Sequence, residues 1–309
     1  MQEHNFQYYL NQKAIAAHYI ELGNIQKALE HLDNAYLTPF GAQDLDLMLD
    51  LAFMYDEADY RDKAMEIFKN MAKVDPEFPT SYYGMATLYD EEEDYDKAIF
   101  YYKRTLELDP TYEAAHFFLA NIYDEIKNYD KAIDHYEKTI ELDPDYFYAY
   151  INLGCIYEST NQNLKAYHYF YQAYRLDRQD YMALFNLGVA CRKLGQIREA
   201  IRYYEKSMQS NADYYCTYLN LALLYKEEFH DYHKSIAIYS EGIKHNSDVS
   251  VLYYNRACCY ALLERYAEAF EDLKTSTALS PSLIEYMKTD DELTVLRSLP
   301  SYRNYYETE

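Results

Sequence analysis

Small and large apolar residues recur along the chain at helical spacing, and the whole pattern repeats about every 34 residues. The segment from Tyr95 to Pro110 returns from Tyr129 to Pro144 with the same small, aromatic and charged positions. Two other sets fall in the same register: Ala64, Ala98, Ala132, Ala166 and Ala200, and Pro76, Pro110 and Pro144. A period of this length predicts a repeat architecture in which each segment forms one pair of helices.

The register is interrupted twice. Ala28 lies 36 residues before Ala64, which places two extra residues near Gln43, and Ser235 follows Ala200 by 35, which places one near 229–230. The predicted organisation is a lead-in over 1–8, eight repeats, a capping helix over 284–299 with leucines three residues apart, and a tail over 300–309, with Pro300 ending the helix. The repeats are 9–42, 45–78, 79–112, 113–146, 147–180, 181–214, 215–249 and 250–283.

The fourth repeat carries the clearest motif, with eight residues at positions 4, 7, 8, 11, 20, 24, 27 and 32: His116, Leu119, Ala120, Tyr123, Ala132, Tyr136, Thr139 and Pro144. Over residues 9–283 the chain resembles the tetratricopeptide repeat family, except that tyrosine mostly replaces the family's tryptophan at position 4. The resemblance implies an all-α, right-handed superhelical α-solenoid of helix–turn–helix repeats. It also implies a concave surface lined by the first helix, helix A, of each repeat.

Positions 5, 9 and 12 of helix A share the side opposite the core positions, so they are the candidate binding groove. Position 5 is apolar from the third repeat onward, as Tyr83, Phe117, Ile151, Phe185, Leu219 and Tyr254. One interpretation is a groove for apolar side chains of a ligand. The other is that tight curvature buries these residues against neighbouring repeats.

Asparagine occupies position 6 in four successive repeats, as Asn152, Asn186, Asn220 and Asn255, and position 9 at Asn121. This row resembles the asparagine ladder of the O-linked N-acetylglucosamine transferase superhelix, which grips the backbone of extended polypeptides. A carboxamide donates and accepts hydrogen bonds at once, so it can pair with any peptide unit. Asparagine is also common at position 6 in the family, which leaves a purely structural explanation open.

Position 12 is charged in an ordered way, as Asp56, Asp90, Asp124, Glu158, Arg192 and Lys226. Residues 45–146 hold 26 acidic and 10 basic side chains, whereas residues 147–214 hold 6 and 8, and the whole chain carries a formal charge of −23. Such acidity disfavours nucleic-acid binding and favours a protein partner with a basic stretch. The alternative is an ordinary solvated face.

Motifs for catalysis or cofactor binding are missing from the sequence. It has no glycine-rich phosphate loop, no CxxC and no HExxH, and His230 and His233 fall in an inter-helix turn without a nearby cysteine. We therefore predict no enzyme activity, no cofactor and no metal. A carboxylate clamp is not predicted either, because Leu219 and Leu223 stand where its basic residues would be.

The five cysteines fall inside helical patterns, and neither a targeting signal nor a run of eighteen apolar residues occurs, so we predict a cytoplasmic protein without membrane insertion. The leading hypothesis is a non-catalytic scaffold or adaptor that binds an extended polypeptide on its concave face. A chaperone-like holder of an apolar client is the first alternative. The second is a peptide-sensing regulator that resembles repeat-containing pheromone receptors. Those proteins usually carry an N-terminal DNA-binding or helical-bundle module, for which we expect no room before residue 9. A homo-oligomer is left open.

Overall fold

A computed structural model describes residues 2–306, which divide after Ala149 into two compact units. The described residues form α-helices joined by short turns, with no strand among them. No helix in this part of the chain is both long and apolar enough to cross a lipid bilayer. The expected all-α solenoid fold is confirmed.

The first unit contains four helical hairpins, whose members pack against each other and against the next hairpin. Its helices are α1 (Gln2–Glu21), α2 (Ile25–Tyr36), α3 (Leu45–Glu57), α4 (Arg61–Val74), α5 (Pro79–Glu91), α6 (Tyr95–Leu108), α7 (Glu113–Glu125) and α8 (Tyr129–Leu142). The next helix, α9 (Phe147–Ser159), contains the boundary between the units.

The second unit continues the same arrangement and ends in three short helices. Its helices after α9 are α10 (Asn163–Leu176), α11 (Tyr181–Lys193), α12 (Ile197–Ser210), α13 (Tyr215–Glu228), α14 (Tyr232–His245), α15 (Ser250–Leu262), α16 (Tyr266–Leu279), α17 (Leu283–Met287), α18 (Thr294–Ser298) and α19 (Pro300–Tyr306). From α11 to α16, each odd-numbered helix pairs with the even-numbered helix that follows it.

One residue with a positive φ ends the first helix of every hairpin. These residues are Gly23, Asp59, Glu93, Lys127, Asn161, Gly195, His230 and Glu264. The next backbone N–H reaches back to the helix, as Tyr60 does to the carbonyl of Tyr55 at 2.8 Å, and this contact satisfies a carbonyl left free at the helix end. The same bond from Asp231 to Tyr225 spans one residue more, because α13 is one residue longer than its counterparts. The other insertion forms a 3₁₀ turn at Gly41–Gln43.

Small residues let the two helices of a hairpin approach each other. A methyl group added at Gly154 would lie 2.5 Å from the ring of Phe170, and one at Gly188 would lie 2.6 Å from the ring of Tyr204. Both rings are almost completely buried at position 24 of their repeats. The glycine and the ring therefore form one packing unit, which explains why the sequence pairs a small position 8 with a large position 24.

The two ends differ from the sequence-based expectation. Helix α1 already begins at Gln2, so the predicted lead-in is part of the first helix as far as it is described. Residues 284–299 do not form one helix: α17 and α18 are separated by a 3₁₀ turn at Asp291–Leu293. Pro300 starts α19 instead of ending a helix, because the first turn needs no N–H donor from it. Residues 307–309 of the predicted tail lie outside the described part.

The C-terminal segment nevertheless covers the last hairpin. Met287, Leu293 and Leu296 are fully buried and pack with Ala257 and Leu273 in one apolar cluster. This segment therefore closes the core of the second unit, although it does so through short turns.

Candidate protein-interaction face

The apolar residues at position 5 are packed into the junctions between repeats. The ring of Tyr83 lies 4.9 Å from that of Tyr112, and the ring of Phe117 lies 4.7 Å from that of Tyr146. In each pair the second ring precedes helix A of the next repeat. Phe185 and Tyr214 form the corresponding pair in the second unit, at 5.2 Å.

Burial agrees with these contacts. Phe117, Ile151 and Tyr254 are buried, and Tyr83, Phe185 and Leu219 are half-buried. The hydroxyl of Tyr254 donates a hydrogen bond to Asp290 of the C-terminal segment. These contacts contribute to the stacking of repeats, and they leave the buried members of the set little apolar surface for a ligand.

The asparagines differ in what they contact. All four at position 6 are half-buried, and the amide nitrogens of Asn220 and Asn255 donate to the carbonyls of Cys216 and Val251, one turn earlier in the same helix, at 3.0 and 2.9 Å. Their side-chain oxygens thus remain as acceptors for a ligand. Asn121 accepts a hydrogen bond of 2.6 Å from the hydroxyl of Tyr136, which ties it to the core of its own repeat.

Three half-buried aspartates stand at position 12 of successive repeats in the first unit, and we call Asp56, Asp90 and Asp124 the acidic row. Within residues 2–306, no lysine, arginine or histidine forms an ion pair with any of them. Burial raises the pKa of all three carboxyls above the ordinary aspartate range; at Asp90 a 3.3 Å hydrogen bond from the Tyr102 hydroxyl partly opposes this. The row therefore carries negative charge without a direct ion pair in a partly desolvated setting, and only at Asp56 does a nearby cation, Arg61, partly oppose the rise in pKa.

A glutamate follows each member of the acidic row, so the triplet Tyr-Asp-Glu occurs in three consecutive repeats. These glutamates are Glu57, Glu91 and Glu125, all exposed. Of the three, Glu91 has a basic partner among the described residues, Arg61 at 3.2 Å. The face thus presents up to six carboxylates over three repeats.

The same repeat positions are neutralised in the second unit. Glu158 at position 12 pairs with Lys193 at position 13 of the next repeat, and Arg192 pairs in the same way with Glu227. Lys226 at position 12 lies 2.5 Å from Glu292 of the C-terminal segment. The position-12 charges predicted to line a groove therefore form ion pairs in the second unit, whereas among the described residues those of the first unit do not.

One group of potential metal ligands lies at the end of the second unit. Atoms of Cys258, Asp290 and Glu292 lie within 4.8 Å of one another. Asp290 accepts the hydroxyl of Tyr254, and Glu292 pairs with Lys226. These contacts hold the C-terminal segment against the last repeats, and we assign the group that structural role.

A histidine pair marks the fourth repeat. The Nδ1 atoms of His116 and His135 are 2.9 Å apart, and Nε2 of His116 lies 3.2 Å from the carbonyl oxygen of Pro110. Because a carbonyl only accepts, Nε2 of His116 carries the proton, and His135 donates to Nδ1 of His116. Burial and the neighbouring His116 lower the pKa of His135 to about 4, and burial also lowers the pKa of His116. The pair is therefore neutral at pH 7.

Four models of the tetratricopeptide repeat match the sequence, over residues 89–151, 135–168, 181–214 and 251–283. Together with the helical hairpins in matching register, these matches decide the family. The chain is a tetratricopeptide repeat protein. Repeat folds of this kind serve as scaffolds for protein–protein interaction.

Solved structures of other tetratricopeptide repeat proteins share the fold. The C-terminal part of a repeat-containing protein from Cytophaga hutchinsonii aligns with a TM-score of 0.62 at 18% identity, over 80% of this chain and 98% of that one. A chain of the APC/C hetero-tetramer Cut9–Hcn1 aligns at 0.57 and 19%, over 88% and 52%. MamA from Desulfovibrio magneticus RS-1, from residue 41 onward, aligns at 0.50 and 18%, over 55% and 96%. No curated protein sequence matches the chain.

Sequence reasoning missed two features of this tetratricopeptide repeat protein. The first is the set of ring pairs between position 5 and the residue before the next helix A. The second is the ion pairing of position 12 with position 13 of the next repeat. The sequence does contain a signal for the second, since Glu158 and Lys193, like Arg192 and Glu227, are opposite charges 35 residues apart.

Proposed function

We propose that the protein is a non-catalytic scaffold that binds an extended, basic segment of a partner protein along the acidic row. The observation that carries this proposal is the contrast between the units. Equivalent positions form ion pairs in the second unit, whereas Asp56, Asp90 and Asp124 form no direct ion pair in the described chain. Half-buried carboxylates without counter-charges cost stability, and such groups concentrate at functional sites.

Geometry specifies the spacing of the partner's charges. Neighbouring helices pack about 8–10 Å apart, and an extended strand rises about 3.3 Å per residue. One carboxylate per repeat thus meets about every third residue of a bound segment. The partner is expected to carry lysine or arginine at three-residue intervals, with long side chains that reach the half-buried oxygens.

The magnitude of the effect supports modest affinity. A hydrogen bond to a charged group is worth about 1.5–3 kcal/mol when desolvated, whereas an exposed ion pair is worth about 0–1 kcal/mol. For half-buried carboxylates we take about 1 kcal/mol each, so the three together change Kd by about a hundredfold. Salt is expected to weaken the complex, because part of this attraction is screened.

The chaperone-like alternative receives little support, because the apolar position-5 side chains are packed between repeats. Separately from the acidic row, the asparagines at position 6 of the second unit are proposed to contact the backbone of an extended peptide segment. Since Asn220 and Asn255 already donate within their helices, they would accept from its N–H groups.

The test uses a fluorescent peptide with arginine at every third position and its glutamine-substituted counterpart. The row variant is Asp56→Asn/Asp90→Asn/Asp124→Asn, read by fluorescence polarisation. A matched control variant removes the same charge from exposed positions of the same three repeats: Asp62→Asn/Asp96→Asn/Asp130→Asn.

The row variant is expected to bind the arginine peptide about a hundredfold more weakly, and the control less than threefold. Because burial raises the pKa of the row carboxyls, their charged form disfavours the fold, so the row variant should unfold at or above the wild-type temperature. Equal loss in both variants, or no preference for the arginine peptide, would refute the proposal.

A further inference from the structure

An open apolar pocket lies at one end of the acidic row. It has a volume of about 450 Å³ and is lined by Ile20, Ile25, Phe53 and Met54, with Asp50 and Glu57 at its edge. This volume falls within the range of pockets that accept small ligands or single bulky side chains. All of these residues belong to α1, α2 and α3 or their connections in the first unit.

Two of the lining side chains are large and apolar but are well exposed to solvent. Phe53 is 43% exposed and Ile20 is 46% exposed, although both are large and apolar. The Phe53 ring makes a T-shaped contact with Phe68, with 5.8 Å between the ring centroids, so it is held in place although part of it faces solvent. Adjacent exposed apolar side chains beside charged residues are typical of an interaction site.

The pocket is continuous with the acidic row. Phe53 precedes Asp56 and Glu57 by three and four residues in α3, so all three share one face of that helix. At the equivalent position 9, the next two repeats carry Thr87 and Asn121, whose side chains bond within their own repeats. Among the repeats of the acidic row, therefore, only the first offers an apolar contact at this place.

We propose that this pocket receives one bulky apolar side chain of the bound segment, next to the basic residues that follow the acidic row. This inference rests on the proposed function and adds to it the alignment of the bound segment along the acidic row. An apolar anchor at one end fixes which basic residue meets which aspartate, a selection that three similar carboxylates cannot make. The carboxylates at the edge of the pocket favour a basic residue directly beside the anchor.

The test compares two peptides with arginine at every third position, one with leucine beside the first arginine and one with serine there. Each peptide is made with its sequence in both orders, forward and reversed, so that the bound segment can be tested in either direction along the row. They are measured against wild type, Phe53→Ser and the matched control Phe100→Ser. The Phe100 ring is 64% exposed and lies on α6, which carries no residue of the acidic row. Circular dichroism checks that both variants keep the helicity of wild type, since the Phe53 ring is partly packed against Phe68.

In one chain direction, wild type should bind the leucine peptide on the order of tenfold more tightly than the serine peptide. Phe53→Ser should reduce this preference to less than twofold, whereas Phe100→Ser should retain it. If leucine gives no advantage, or Phe53→Ser leaves the advantage intact, the pocket is not the anchor site, while the proposed function stands as long as the row variant still loses binding. If no arginine peptide binds wild type, the proposed function fails as well.

Discussion

A buried ion pair in the last repeat allows a stringent test of how the second unit is stabilised. Nε and Nη2 of Arg256 each lie 2.7 Å from an oxygen of Asp272, and Nη1 lies 2.9 Å from the hydroxyl of Ser240. The side chains of the pair are only 16% and 10% exposed. The rings of Tyr253 and Tyr260 also lie 5.7 and 5.9 Å from the guanidinium.

Asp272→Ala would leave the guanidinium buried without its counter-charge, at an expected cost of about 3–5 kcal/mol. The double variant Arg256→Met/Asp272→Leu removes both charges and keeps most of the volume. It is expected to cost less than about 2 kcal/mol. As a control, Glu268→Ala breaks the exposed pair with Arg265, and its stability should stay close to that of wild type because solvent screens exposed ion pairs.

Two cysteines provide a local assay. Cys258 and Cys259 are 1% and 0% exposed in α15, the helix that carries Arg256, so they react with a thiol reagent only when this region opens. A loss of 3–5 kcal/mol predicts that labelling, measured by peptide mass spectrometry, is about 10²- to 10⁴-fold faster in Asp272→Ala. This account of the pair would be refuted if Asp272→Ala were labelled at the wild-type rate. It would also be refuted if the double variant were labelled as fast as the single variant.

Two further predictions concern buried groups in the repeats. As pH falls from 6.5 towards 4, the unfolded chain protonates His135 and the folded chain does not, so this residue contributes a loss of stability, whereas protonation of the row carboxyls contributes a gain. His135→Gln, which can still donate to His116, removes the first contribution, so its Tm should rise relative to that of wild type as pH falls, and an unchanged difference in Tm would contradict this. Replacing the tyrosine at position 24 by phenylalanine should lower the free energy of unfolding by about 0.5–1.5 kcal/mol where the hydroxyl has a hydrogen-bond partner. Where the hydroxyl has none, the replacement should be neutral or stabilising. Urea unfolding can compare the two classes: Tyr102 and Tyr136, against Tyr204 and Tyr239.

The periodic part of the fold could be predicted from the sequence because packing between helices repeats every 34 residues. The two insertions deduced from alanine spacing correspond to a 3₁₀ turn at Gly41–Gln43 and to a longer α13. The C-terminal segment has no such register. Leucines three residues apart fit a helix, but they also fit successive tight turns, and Pro300 can either end a helix or begin one.

The candidate site was only partly predictable. Position alone places Asp56 and Arg192 on the same face of their own helices, but it does not show which charges find partners in the next repeat. Likewise, an apolar residue at position 5 such as Phe117 looks exposed within its own helix, and its burial depends on Tyr146 from the following connection. Both outcomes are set by contacts between repeats, which a pattern within one repeat does not contain.

The ring pairs at the junctions also bear on how such a chain can change length. Each pair joins a ring in one helix A to a ring 29 residues later, from 83 to 112, 117 to 146 and 185 to 214. A duplication or deletion of a whole 34-residue segment carries every ring together with a partner position, whereas any other length separates them. The length of the proposed binding face can therefore evolve in steps of one repeat, and under this proposal each added Tyr-Asp-Glu triplet would lengthen the recognised partner segment by about three residues.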